Sequence, residues 1–268
     1  MKNSLQLFLQ IVTAEIVKLR YTFAFWLTVI YPMGSVILVS LFWFSTRNAK
    51  IINTDEFIIN LGNAASFFLP FYIVLMISVA CNTEYKSSML KHMLALPVPR
   101  SLFYVGKLTG ILVYIALALF LTLVFAYFSI LMCGLISPKL GFGTSFNHIM
   151  LMRMLIRAYT AAAAIYSIQY WLGMRLRNLT LPLAIGSALI ILPIATLIIL
   201  GIAGLITKIE DFTKIITYNP YSYPYSTAFN LTKNTDITIF STTTIVFILI
   251  SIVALVLGAW EFNRRNVS

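Results

Sequence analysis

The chain has 268 residues, of which 60% are hydrophobic and only 10% charged, with a formal net charge of +11 and a mean hydropathy of +0.92. One soluble core cannot hide that much apolar surface, so part of the solvent is lipid, and the basic excess reads as Lys and Arg flanking membrane spans. No long basic run and no nucleic-acid motif occurs, which removes nucleic acid as a partner.

Residues 4–20 come first. Leu5, Phe8, Leu9, Val12, Ile16 and Leu19 recur at helical spacing, with Gln6, Gln10, Thr13, Glu15 and Lys18 off that stripe. The segment is too polar to span. It reads either as a helix lying in the inner membrane interface or as an extension of the first span. Six apolar runs then meet the roughly 20 residues a bilayer crossing needs; they lie near 22–45, 62–81, 108–134, 155–174, 180–206 and 238–260. The first is too long for a cleaved signal peptide and reads as an uncleaved span. The longest polar connections are 135–154 and 207–237, so the expectation is one transmembrane domain over 1–268. The fold class expected is all-α with six transmembrane helices.

Orientation follows from Lys and Arg. With the N-terminus inside, 11 of them, including Lys18, Lys86, Lys91, Arg100, Lys107 and Arg175, fall on the cytoplasmic side, and 8 fall outside. Both termini are therefore expected in the cytoplasm. Cys81 and Cys133 end spans at opposite faces and read as plain buried thiols with no metal-site pattern around them.

Pro32, Pro70 and Pro193 lie inside spans and are expected to bend them. Ala158 and Ala161 to Ala164 in span four offer a close-packing face whose partner helix the sequence leaves open. Gln169, at membrane depth in the same span, is expected to hydrogen-bond between helices or to face a cavity. Arg153 and Arg157 stand one turn apart near its outer end. They read as snorkelling to headgroups or as contacts for an anionic lipid or the acidic groups of a substrate. The outer loop 207–237 contains Tyr218, Tyr221, Tyr223 and Tyr225, read as an aromatic belt at the headgroups or as a gate or substrate contact.

Several chemistries are missing from the sequence. No acidic residue is expected in the hydrocarbon layer, which disfavours an ion-coupled carrier. Paired carboxylates, a Cys/His cluster and a nucleophile elbow do not occur, and Gly106-Lys107 lacks the rest of a phosphate-cradling GxxxxGK[ST]. The chain is read as a non-enzyme with no cofactor or metal of its own.

Between spans two and three, Asn82 and Thr83 read as N-caps for a short helix opening at Glu84. Tyr85, Met89, Met93 and Leu96 would share one stripe, Glu84, Ser87 and Lys91 would lie opposite, and Pro97 would stop the helix before Pro99 and Arg100. From the residues alone this segment either rests on lipid headgroups or docks a cytoplasmic partner. Its order is Glu84, a Lys/Ser/Met-rich helix, Leu94-Ala95-Leu96-Pro97-Val98-Pro99-Arg100 and Gly106-Lys107. That order resembles the coupling-helix region of type-2 ABC exporter permeases, with Ser87-Ser88 departing mildly from the Gly-Thr often found there. Ile168-Gln169-Tyr170-Trp171-Leu172-Gly173-Met174-Arg175, Asn178, Leu183-Ala184-Ile185-Gly186 and the Asn219–Tyr225 stretch are similar to permeases of lantibiotic-immunity and bacitracin-type ABC transporters.

The resemblance implies an interface helix at 4–20, a cytoplasmic coupling helix at 83–97 and location in a bacterial cell membrane. A second permease copy or sister permease would complete the path. A separate ABC ATPase subunit would bind ATP and Mg. Tyr85, Met89, Met93 and Leu96 would pack or insert at that ATPase, and Glu84, Lys86, Lys91 and Arg100 would make polar contacts to it. The cargo would be an amphiphile such as an antimicrobial peptide. The competing reading is a non-transporting membrane scaffold or receptor subunit whose loop binds another cytoplasmic partner.

Overall fold

The computed structural model describes residues 4–46, 54–86, 99–136, 147–176, 178–202, 217–229 and 240–264, and among these every regular element is a helix. In chain order they are α1 (Ser4–Arg20), α2 (Phe23–Thr46), α3 (Thr54–Lys86), α4 (Arg100–Ile136), α5 (His148–Ala161), α6 (Ala163–Arg175), α7 (Thr180–Ile202), α8 (Tyr223–Phe229) and α9 (Thr242–Arg264). An apolar environment leaves backbone N–H and C=O groups no partner but the chain itself, and a helix satisfies them within one segment.

Four of these helices, α2, α3, α4 and α9, are long and apolar enough to cross a bilayer, and α5 with α6 forms a fifth candidate bent by 43°. In α7 the apolar helix Thr180–Thr196 is shorter. Pro32, Pro70 and Pro193 lie inside α2, α3 and α7. A sharp break comes at Ala162, where the sequence has no proline. There Tyr166 Oη donates to the carbonyl of Tyr159 at 3.0 Å. A side chain bonding into the backbone ladder is a recognised cause of a bend.

Helix α3 is the hub and packs against α2, α4, α5, α6, α7 and α8. Ile58, Leu61, Ala65, Leu69, Ile73 and Ile77 are wholly buried along it. By contrast, α9 buries little of its surface and leaves Ile252, Val253, Val256 and Leu257 more than half exposed. Those apolar faces require lipid or another apolar surface around the bundle.

The small-residue face of span four meets partners within the chain. Ala161 and Ala164 form a buried cluster with Tyr223 of α8 and Phe247 of α9. The part of the expected outer loop that is described, 217–229, is thus packed into the bundle against α3 and α5 rather than lying over it.

Helix α1 also departs from expectation. Glu15 and Leu19 are its buried residues, whereas Leu5 and Leu9 of the expected stripe are exposed. The helix docks on α4 through a small-xxx-small notch. A Cβ at Gly106 would lie 2.7 Å from Ile11 Cγ2, and one at Gly110 would lie 3.0 Å from Glu15 Cβ. Tyr114 of α4 then donates its hydroxyl to the carbonyl of Ile16 at 2.9 Å.

Candidate functional site

Among the described residues, charged side chains expected on the cytoplasmic side gather at one end of the bundle, where α1, the end of α3, the start of α4 and the ends of α6 and α9 lie. Lys107 is the centre of this base. The sequence places it as a flanking residue opening span three, but α4 already starts at Arg100, two turns earlier, so Lys107 is fully buried. Its Nζ donates to the carbonyl of Ala80 on α3 at 3.3 Å and lies 3.6 Å from Oε2 of Glu15 on α1. The other oxygen of Glu15 accepts from Lys18 at 2.6 Å. A buried acid is therefore present, at 1% exposure, where the sequence reading puts Glu15 off the apolar stripe of 4–20. Burying a charge without a partner is costly, and each of these charges has one of opposite sign.

A second ion group closes the base. Arg175 Nε lies 3.6 Å from Glu261 Oε1, Trp171 donates its indole N–H to Glu261 Oε2 at 2.8 Å, and the guanidinium of Arg175 covers the Trp171 ring at 5.4 Å. Arg100 donates to the carbonyl of Asn263 at 3.3 Å, which links the start of α4 to the end of α9.

Of the expected ATPase-contact residues, Glu84, Tyr85 and Lys86 are the last residues of α3 and Arg100 is the first of α4. Met89, Lys91, Met93 and Leu96 lie outside the described residues. Asn82 and Thr83 do not cap a new helix, because α3 runs unbroken through them to Lys86. Thr83 instead turns its hydroxyl back to the carbonyl of Ala80 at 2.9 Å. Local capping propensity loses here to continuation of a long helix.

The expected interhelical role of Gln169 is present in full. This wholly buried amide donates to Ser78 Oγ at 3.2 Å and to the carbonyl of Pro182 at 2.9 Å, and accepts from Tyr221 Oη at 3.1 Å. It ties α6 to α3, to α7 and to the segment before α8. Close approach is possible because α7 carries Gly186 there: a Cβ would lie 2.6 Å from Gln169 Oε1. Asn219 Nδ2 donates to the carbonyl of Leu189, near the middle of α7, at 3.0 Å.

Tyr221 and Tyr223 are buried, which corrects the headgroup-belt expectation for both; Tyr218 alone of the four is largely exposed. Tyr223 Oη bonds with Ser241 Oγ at 2.6 Å and Thr244 Oγ1 at 2.8 Å. Arg153 is exposed, while Arg157 is half-buried with its Nε making no hydrogen bond. On a different side of α5, an apolar groove of ≈ 560 Å³ opens against α4, walled by Leu119, Phe120, Leu123, Met152, Leu155 and Tyr159. The structure does not bring the two arginines into that groove.

Residues 11–193 match the family model of the ABC-2 family transporter protein. That is more than half of the 268 residues. The chain belongs to the ABC-2 transporter family. Membership makes it a multi-pass membrane component of a transporter. The ABC-2 match takes in the Glu15–Lys107 base, the residues around 84–100 and Gln169, and it ends at Pro193, before Tyr221, α8 and α9. No curated protein matches the chain.

Sequence reasoning missed the base. The Glu15–Lys107 contact joins residues far apart in the chain, and no local pattern pairs them. The readable signal was Gly106-x-x-x-Gly110 at the opening of span three, a notch that needs a helix to fill it.

Proposed function

We propose that this chain is the permease subunit of an ATP-driven exporter in the bacterial cytoplasmic membrane. It pairs with a second permease copy or a sister permease and is powered by a separate ABC ATPase that binds ATP and Mg. The ATPase docks on residues 84–100, with Tyr85, Met89, Met93 and Leu96 as apolar contacts and Glu84, Lys86, Lys91 and Arg100 as polar ones. Both termini face the cytoplasm, α7 serves as the further span that brings the count to six, and α1 lies at the inner interface.

The observation that carries this reading is the ABC-2 match, which encloses residues 84–100 in a chain with no phosphate-cradling loop of its own. The cargo is an amphiphile, of which antimicrobial peptides of the lantibiotic or bacitracin type are the class suggested by the 168–186 and 219–225 motifs. The apolar groove between α4 and α5 supports an amphiphile because it is open, apolar and set among lipid-facing side chains. Arg153 and Arg157 would meet acidic groups of the cargo or of lipid. Gln169, Tyr221 and Tyr223 would support the path from behind, being buried within the chain.

The test is co-expression with each ABC ATPase of the source cell, tried one at a time. A stable complex whose ATP hydrolysis changes on charge reversal at Glu84 or Lys91 supports the reading. A chain that purifies alone and functions without any ATPase would instead be a scaffold or receptor subunit.

A further inference from the structure

Lys107 joins three helices at one point. It belongs to α4, its ammonium donates to the Ala80 carbonyl of α3 at 3.3 Å, and it lies 3.6 Å from the Glu15 carboxylate of α1. Ala80 stands one helical turn before Glu84, where the proposed ATPase contact begins. The same Ala80 carbonyl also accepts from Thr83 Oγ1 at 2.9 Å. Two side-chain donors on one backbone oxygen compete with the helix ladder and mark a place where a helix bends readily.

The pair is not built for tight attraction. Glu15 Oε2 makes no hydrogen bond, and at 3.6 Å the ammonium is beyond hydrogen-bonding reach. Well-packed apolar side chains would hold α1 on α4 at least as well. What an apolar residue could not do is donate to Ala80 and attract Glu15 at once. Gly106 and Gly110 add to this, because without side chains they bring α1 onto α4 beside Lys107.

We infer that Lys107 is a positioning residue that makes the end of α3 move together with α1 and α4 when residues 84–98 are pushed. This rests on the proposed docking of an ATPase at 84–100. Lys107 bonds at the pliable turn of Ala80–Thr83, so with it in place force that crosses the turn carries α1 and α4 along with α3. Without it α3 would shift past α1 alone.

Spin labels at Val17 of α1 and Leu75 of α3, both exposed, read this directly in the permease–ATPase complex by double electron–electron resonance, nucleotide-free and after ATP–vanadate trapping. A third label, at Tyr127 near the far end of α4, reports whether trapping moves the bundle at all. In the unsubstituted complex the Val17–Leu75 distance should hold within about 2 Å, the scale of ordinary helix shifts, while distances to Tyr127 change. In Lys107→Met, where Glu15 keeps Lys18 as its ion partner, the Val17–Leu75 distance should change by more than that on trapping. Lys107→Arg, which keeps cation and donor, should restore the constant distance. A merely structural lysine would alter both states alike and leave no nucleotide-dependent difference.

A constant Val17–Leu75 distance in Lys107→Met overturns the inference while leaving the permease reading intact. If Lys107→Met does not fold, Lys107→Leu replaces it with the same expectation. No trapping-dependent change at Tyr127 in the unsubstituted complex would sink the ATPase-driven reading and this inference with it.

Discussion

Tyr221 donates its hydroxyl to the side-chain oxygen of Gln169 at 3.1 Å, although 52 residues separate them. Gln169 lies six residues before the end of α6, about 9 Å along the helix. The segment before α8 therefore reaches deep into the bundle, toward the end that carries Lys107. The tie depends on one amide that is fully used. Replacing Gln169 by Leu removes three hydrogen bonds. At about 0.6 kcal/mol for an average bond in a membrane bundle, that costs about 2 kcal/mol. Tyr221→Phe removes only one and should cost about a third as much. Unfolding of the purified chain in detergent checks the order of the two variants.

Close packing at Gly186 gives a second, sharper test. A Cβ there would sit 2.6 Å from Gln169 Oε1 and 2.7 Å from Val74 Cγ1, while Gly34 on α2 has nothing within 4 Å of the same position. Gly186→Ala should destabilise by roughly 1–3 kcal/mol through overpacking. Gly34→Ala should stabilise by up to about 1 kcal/mol, since Ala is the better helix former. Melting temperatures of the two variants should move in opposite directions.

Helix α1 should depend on the Gly106 notch. Gly106→Val places branched carbon where Ile11 packs. The expected outcome is faster amide hydrogen exchange across α1, with exchange in the buried stretch of α3 unchanged. Uniformly faster exchange would mean that the notch holds the whole bundle rather than α1.

The long spans were legible because their signal is local: an apolar run the length of a bilayer predicts a helix whatever it packs against. Residues 108–134 accordingly fall within α4, and residues 242–260 of the expected last span lie in α9. The amide of Gln169 was legible for a related reason, since a polar group at membrane depth must find partners. The break at Ala162 was not, because it has neither proline nor glycine and arises from Tyr166 reaching back to Tyr159. Glu15 reads as a polar-face residue of 4–20 and Lys107 as an ordinary flanking charge until the fold buries them together. Tyr221 and Tyr223 have belt-like composition, and only the tertiary contacts turn them inward.

The sidedness expected from Lys and Arg is open to direct labelling. Asn147 at the start of α5 and Asn263 near the end of α9 are both exposed and stand at opposite ends of the bundle. With cysteines introduced one at a time, a membrane-impermeant maleimide should label position 147 in intact cells and position 263 only after lysis. The reverse pattern would invert the topology and move the Lys107 base outside.

The account turns on residues 84–100 receiving force from a separate ATPase. A photo-crosslinking amino acid at Met89, in cells co-expressing the partner ABC ATPase found by co-expression, measures that contact. The account predicts a covalent permease–ATPase adduct from position 89 and none from Ile149, an exposed residue at the opposite end. Adducts to lipid alone at position 89, with the ATPase present and folded, would contradict it.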